Sequence, residues 1–322
     1  MISNKQLLLG AMLVVCNVQM SFAQEKAWKH GTLAPKGDAG IIYMAAENGF
    51  GKRAGVAIDM IALKGDAMLT KALMAGEIDS YDGNPGGPMI AASKGADIKI
   101  IGCWWTTLPY AIFTKTDVKS FADLKGKAIA VSDPGSLPDL FARAAIRSAG
   151  LDPNKDVQYV RAGGDADRIK ALFAGVVAAA PSSSEFSVRA PQMGLKVLVH
   201  AKNVTPDYVR FCTMTTSKVL ATKRSTAVAF MSAQMKALTY AMENEDETTA
   251  LAHKITNAKP DDPNAKAIFN EAKTDKMIDT SMGIDVKKLV YLRDLLADSG
   301  MISKSFNPAT MIDTSIRIEA AK

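Results

Sequence analysis

The chain has 322 residues, 48% hydrophobic and 22% charged, with 39 Lys and Arg against 33 Asp and Glu and a formal net charge of +6. This length accommodates two ordinary domains, and the composition excludes a disordered or fibrous chain. The mild positive excess is spread along the sequence and gives neither a nucleic-acid footprint nor a polybasic membrane patch.

Lys5 is the only charge before Glu25, the apolar stretch Leu7–Val15 follows it, and Ser21-Phe22-Ala23 offers a small-x-small cleavage site. That is the build of a secretory signal peptide, residues 1–23, cleaved after Ala23; its apolar run is too short to span a bilayer. Cys16 would mark a lipoprotein, but Val15 stands where a small residue is needed. The mature chain would have 322 − 23 = 299 residues and a charge balance of 38 − 33 = +5, a field that weakly favours anionic ligands.

Trp28–Leu33 reads as a first strand. Ala34–Gly40 is a loop, with Pro35, Gly37 and Asp38, that can meet a ligand. Helix Ile41–Asn48 stops at Gly49, strand Val56–Leu63 follows, and Asp66–Ala75 is an amphipathic helix closed by Gly76. Ile78–Tyr81 is the next strand. At its end stands the turn-forming cluster Asp82–Pro88 (DGNPGGP), where Asn84 can donate and accept and the glycines admit a ligand to the backbone. Strand Ile98–Gly102 exits through Cys103-Trp104-Trp105-Thr106-Thr107. Adjacent extended residues face opposite ways, so one of Trp104 and Trp105 is expected in the core and the other in a cleft.

A second series begins with strand Tyr110–Thr114 and continues with strand Ala128–Ser132. Asp133-Pro134-Gly135 turns into helix Ser136–Ala149, with Ser136 as its cap. Ser132, Gly135 and Ser136 thus sit at a helix N-terminus on the carboxyl edge of a sheet, where open α/β sheets bind ligands, often anionic ones. Strand Val157–Val160, helix Asp165–Ala174 and strand Val176–Ala180 follow. The last of these leads into Ser182-Ser183-Ser184-Glu185, in which Ser183 and Glu185 offer a hydroxyl and a carboxylate suited to a ligand amine. Lys196–His200 is a strand, Tyr208–Met214 is extended, and Arg210 within it can pair a ligand anion. Beyond Lys218 the chain is mostly helical, ending in Val286–Ser299.

KALMAG at Lys71–Gly76 returns as KALFAG at Lys170–Gly175, an offset of 170 − 71 = 99 residues. The same helix–Gly–strand unit used twice predicts two similar α/β lobes of parallel sheet with helices on both faces, and a cleft between them. The helical tail is expected to return to the first lobe. Lobe one is then residues 24–112 and 214–322, and lobe two is 113–213. Extended crossings near Tyr110–Lys115 and Tyr208–Thr213 would permit hinge closure.

Cys103 and Cys212 are the cysteines of the mature chain. Export permits a disulfide, but both end strand-like runs, and two buried free thiols are the plainer expectation. His30, His200 and His253 lack metal-ligand spacing, and no nucleophile elbow, Walker or dinucleotide motif is present. No metal, cofactor or catalytic residue is predicted.

In their order and spacing, KALMAGEID (Lys71–Asp79), AASKGADIKIIG (Ala91–Gly102), SFADLKGKAIAVSDPGS (Ser120–Ser136), AGLDPNKDVQYV (Ala149–Val160), KALFAGVVAA (Lys170–Ala179) and GIDVKKLVYLRDLLADSGMI (Gly283–Ile302) form a pattern across residues 29–313. It resembles the periplasmic substrate-binding proteins of ABC importers of the nitrate, sulfonate and taurine type, which also include thiamine-precursor binders. The resemblance implies a type II periplasmic-binding fold, two α/β lobes joined by two crossing strands around a central cleft. It also implies capture of a small molecule and its delivery to an ABC permease and its ATPase. The export signal makes the protein periplasmic, the Trp pair and the absence of a basic cluster favour an organic solute, the Ser132–Ser136 helix start favours an anionic one, and a monomer is expected. One departure is Gly175-Val176-Val177-Ala178-Ala179, which lacks the Asp of the family's G-x-V-D-A. An exported ligand sensor is an alternative. A pyrimidine-synthase-like enzyme is disfavoured by the export signal and the scattered histidines.

Overall fold

The computed structural model describes residues 26–322, so the leader and its cleavage site lie outside the described residues. The chain builds β1 (Lys26–Leu33), α1 (Ala39–Glu47), α2 (Phe50–Arg53), β2 (Val56–Leu63), α3 (Asp66–Ala75), β3 (Ser80–Gly83), α4 (Gly86–Ala92) and β4 (Lys99–Trp105). It then crosses to β5 (Tyr110–Lys115), β6 (Ala128–Val131), α5 (Leu137–Ser148), β7 (Gln158–Arg161), α6 (Asp165–Phe173), β8 (Ala179–Ser183) and β9 (Leu195–His200). It returns through β10 (Phe211–Thr215) into α7 (Ser217–Thr222), α8 (Arg224–Glu243), α9 (Glu245–Thr256), α10 (Asn264–Thr274), α11 (Val286–Asp298) and α12 (Ser315–Ala320).

Two five-stranded sheets result, ordered β2-β1-β3-β10-β4 and β7-β6-β8-β5-β9. Their orders correspond strand for strand, which is the structural content of the sequence repeat. Helix α3 follows β2 and helix α6 follows β7, and the glycines that close the two copies, Gly76 and Gly175, have φ of 74° and 76°. The strands after each repeat start later than the apolar runs suggest. Residues 77–79 and 176–178 carry the chain from helix end to sheet, where the Asp79 amide donates to the Lys29 carbonyl and the Ala178 amide to that of Ala128.

The alternation of strands and helices implies parallel sheets, but both sheets are mixed. β10 runs antiparallel to β3 and β4, and β5 runs antiparallel to β8 and β9. These are the strands by which the chain arrives from the other lobe, so they run against the β–α units. The whole of Tyr110–Lys115 belongs to the second sheet, and the crossings fall earlier, at residues 106–109 and 201–210.

The core of lobe one gathers Trp28, Ile101, Trp104, Trp105, Phe211, Phe230 and Phe269, so the helical tail does pack on the first lobe. Lobe two has its own core around Phe113, Ala130, Ile169 and Leu172. Cys103 and Cys212 face each other on β4 and β10 and are joined in a disulfide, which corrects the expectation of free thiols. The sequence places each at a strand end, but only the sheet order makes those strands neighbours.

Candidate ligand-binding cleft

The carboxyl ends of the parallel strands of the two sheets meet at the lobe boundary. After β1, a loop held by Pro35 and Gly37 presents Lys36 and then Asp38, whose backbone starts α1. Asp66 opens α3, and Asn84 follows β3. From lobe two, Asp165 opens α6, and Ser183 to Glu185 leave β8. The second crossing supplies Tyr208 and Arg210.

Lys36 Nζ lies 3.4 Å from the Asp165 carboxylate of lobe two and 3.5 Å from that of Asp38 in lobe one. It also stands 5.7 Å from the centroid of the Tyr110 ring. The same Asp38 oxygen, Oδ2, is paired with Arg210, whose guanidinium lies 4.0 Å from the centroid of Trp105 and 4.3 Å from that of Phe211. Gly37 lets the lobes approach: a Cβ there would stand 2.5 Å from Glu185 Oε2 and 3.0 Å from the Asn264 carbonyl oxygen. Gly135 does the same from lobe two, where a Cβ would come within 2.6 Å of Met301 Sδ.

The charges tune one another. Burial works against the Lys36 ammonium, but the carboxylates of Asp38, Asp165 and Glu185 outweigh it and hold the ammonium protonated well above the ordinary lysine range. Burial likewise opposes ionisation of Asp38 and Asp165, yet both are held below the usual carboxylate range, Asp38 by Lys36 and Arg210 and Asp165 by Lys36 and Arg168. At Glu185 burial prevails over the pull of Lys36 and pushes the carboxyl up to about 7. Burial also raises Asp66, to about 6, although the Asn84 amide donates to it at 3.0 Å.

Lys36 Nζ, Ser183 Oγ, Glu185 Oε2 and Arg210 Nη1 are buried polar atoms without a hydrogen-bond partner, as are Trp105 Nε1 and Asn264 Oδ1 beside them. Buried polar atoms are ordinarily satisfied, so their grouping beside the Lys36 charges makes this boundary the candidate place for a polar ligand. Two surface cavities, of about 380 Å³ beside Cys103, Thr106 and Lys288 and about 350 Å³ beside Lys115 and Lys127, gather no such set.

The residues expected from the sequence divide. Asp38, Ser183, Glu185 and Arg210 come together around Lys36. Asn84 is drawn into structure: its Nδ2 donates to Tyr208 Oη at 2.7 Å and its Oδ1 accepts from the Gly86 amide at 2.8 Å. Trp104 and Trp105 are both fully buried, stacked edge-on against Phe211, and Trp105 reaches the cleft only through Arg210 above it.

The turn at Ser132–Ser136 is largely self-satisfied. Ser132 Oγ donates to the Gly163 carbonyl at 2.8 Å and accepts from Arg168 at 2.6 Å. Ser136 stands at the N-cap of α5, but its hydroxyl accepts from the Asp133 amide at 3.2 Å rather than capping the helix. The Gly135 amide donates to Asp139 at 2.8 Å.

Lys36, Asp66, Tyr110 and Asp165 are missing from the sequence-derived set. The repeat could have found two of them. Asp66 and Asp165 are 165 − 66 = 99 residues apart, the offset of the KALMAG and KALFAG copies, and occupy equivalent helix starts. Lys36 carries no such signal, because its role depends on the lobes meeting.

A second polar constellation lies inside lobe one. Ser80 Oγ is 2.7 Å from His30 Nδ1, and His30 Nε2 is 3.2 Å from Asp82. Ser80 also accepts from Trp28 Nε1, and Asp82 accepts from Thr213 and Gln234. His30, Ser80 and Asp82 are at most 1% exposed, and the network pins β1, β3, β10 and α8 together. Among the described residues no group of three His, Cys, Asp or Glu is placed to hold a metal ion.

A family model described as NMT1/THI5 like matches residues 37–248. The chain belongs to that family. Among solved structures the nitrate-binding protein NrtA from Synechocystis PCC 6803 aligns with a TM-score of 0.77 at 15% identity, over 92% of this chain and 89% of that one. The alkanesulfonate-binding protein SsuA from Xanthomonas axonopodis pv. citri, bound to MOPS, aligns with a TM-score of 0.73 at 16% identity, over 89% and 98%. A cysteine-to-serine mutant of DszB in complex with biphenyl-2-sulfinic acid aligns at 0.66 and 14% identity, over 92% and 99%. At these identities the likeness shows the fold: this is a two-lobed periplasmic-binding-protein architecture. No curated protein matches the chain by sequence.

Proposed function

We propose that this chain is the exported solute-binding component of an ABC-type importer. It captures a small organic solute between its lobes and presents the closed form to a permease served by an ATPase. The observation that carries this is the convergence of Lys36 and Asp38 of lobe one, Arg210 of the crossing, and Asp165, Ser183 and Glu185 of lobe two on one buried boundary, with four polar atoms left without partners. The named relatives that bind nitrate and alkanesulfonate, and the secretory build of residues 1–23, support an extracytoplasmic role. In this reading the protein acts as a monomer and performs no chemistry. Its work is closure, in which residues 106–109 and 201–210 bend while the lobes stay rigid. Asn84, Ser132, Gly135 and Ser136 are positioning residues, and Trp105 is the floor beneath Arg210.

Calorimetric titration of the mature protein, residues 24–322, against a library of small amines, sulfonates, carboxylates and heterocycles tests the reading. One-to-one binding of a member of the library is expected. Absence of binding across the library, with the protein folded, would overturn it.

A further inference from the structure

The charge balance of the cleft says more than that a solute fits. Lys36 reaches from a lobe-one loop across the boundary, and its ammonium sits between the carboxylates of Asp38 and Asp165 at 3.5 and 3.4 Å. Glu185 adds to the negative field there, and the Tyr110 ring lies 5.7 Å away. Yet the ammonium makes no hydrogen bond of good geometry. Without Lys36, the carboxylates of Asp38, Asp165 and Glu185 face only the guanidiniums of Arg210 and Arg168. Arg168 is already consumed by Asp165, Ser132 and the carbonyls of Pro181 and Gly163. With Arg168 so engaged, Arg210 alone is left beside the acids, and Lys36 supplies the further positive charge from the protein's own chain.

The helix start that argues for an anion from sequence, Ser132–Ser136, has spent its hydroxyls within lobe two. Each cleft cation already has a carboxylate. Two fully buried groups beside the acids keep atoms free for a ligand: Ser183 Oγ, whose own amide donates to Asp165 at 3.2 Å, and Arg210 Nη1, whose Nη2 is bonded to Asp38.

Resting on the solute-capture reading above, we propose that the cleft contains an ammonium subsite formed by Asp38, Asp165, Glu185 and the Tyr110 ring, that Lys36 is its built-in occupant, and that the solute carries an amine which displaces it. The acceptor end of such a solute faces Arg210 Nη1 and Ser183 Oγ. Lys36 then acts as an intramolecular competitor that holds the lobes together until a better-bonded ammonium arrives. A desolvated charge near an aromatic face and paired carboxylates is strongly held, which gives both the competitor and the solute their purchase.

Chemical rescue tests this. In Lys36→Ala the subsite is vacated, and n-butylammonium supplies the missing group. Thermal melts of Lys36→Ala should rise with n-butylammonium, and its dissociation constant should be at least tenfold lower than for the wild type. Sodium butanesulfonate should give no rise. In Lys36→Ala combined with Asp165→Asn the amine effect should fall at least tenfold. Lys36→Met, which keeps the stem but not the charge, guards against poor folding of the alanine variant and should show the same preference for amine. Stabilisation by butanesulfonate equal to or above that by the amine would overturn the subsite while leaving solute capture standing, and so would no response to either probe in a folded Lys36 variant.

Discussion

The disulfide makes the most quantitative prediction about how this chain holds its divided lobe together. Cys103 and Cys212 are 109 residues apart, and the loop they close contains the whole of lobe two. Lobe one is built from the two flanking pieces, so in the unfolded chain the bond keeps those pieces close while lobe two is unformed. The loop-closure model assigns a loop of this length about 16 cal/mol/K of unfolded-state entropy, or about 5 kcal/mol of stability, and removal of native disulfides typically costs about 2–5 kcal/mol. The double substitution Cys103→Ala and Cys212→Ala should therefore cost about 3–5 kcal/mol. All three tryptophans, Trp28, Trp104 and Trp105, are buried in lobe one, so their fluorescence in urea reads the affected lobe directly. Wild type unfolded and refolded with excess reductant should follow the same curve as the double variant. A difference below about 1 kcal/mol between wild type and variant would refute the argument.

Other outcomes follow from the cleft. The Glu185 carboxyl, raised to about 7 by burial, binds its proton more tightly in the folded than in the unfolded state. Its contribution therefore favours folding at low pH and is lost as pH rises from about 4.5 to about 7. Stability measured by denaturant should fall across that window by at most about 3 kcal/mol, and Glu185→Gln should flatten the dependence; an unchanged slope in the variant would assign it to other groups, Asp66 first. Asp38→Ala strands Arg210 in the core and should cost about 3–5 kcal/mol, whereas a loss below about 1 kcal/mol would mean the pair is solvated in solution. Gly37→Ala places a methyl against Glu185 and the Asn264 carbonyl, so it should open the lobes, visible as a larger radius of gyration by small-angle scattering at little cost to the folded lobes. An unchanged radius would show that the loop yields instead.

The fold was legible wherever the signal was local. Asp66–Ala75 and Val56–Leu63 match the structural helix and strand residue for residue, because periodicity and a left-handed glycine define them within the segment. What depends on contacts between distant segments was not. The antiparallel β5 and β10, the pairing of Cys103 with Cys212, and the burial of both Trp104 and Trp105 all follow from which strands become neighbours. The site shows the same division. Asp38, Ser183, Glu185 and Arg210 are readable as polar groups at strand ends, whereas Lys36 acquires its place only when Asp165 comes to it from the other lobe. Ser132 and Ser136 looked like an anion cradle because their backbone setting favours one. Arg168 and the Asp133 amide, which take up those hydroxyls, reveal themselves only in three dimensions.

In the proposed capture mechanism one solute is gripped from both lobes at once. Calorimetric titration of the bound solute against Asp38→Asn in lobe one and Asp165→Asn in lobe two, with Asp117→Asn on the far side of lobe two as control, tests it most directly. Each cleft substitution removes a charge-assisted contact worth about 1.5–3 kcal/mol, so affinity should fall at least tenfold in both variants and stay at the wild-type value in the control. Wild-type affinity in folded Asp38→Asn and Asp165→Asn together would rule out a grip from both lobes and place the solute elsewhere on the molecule.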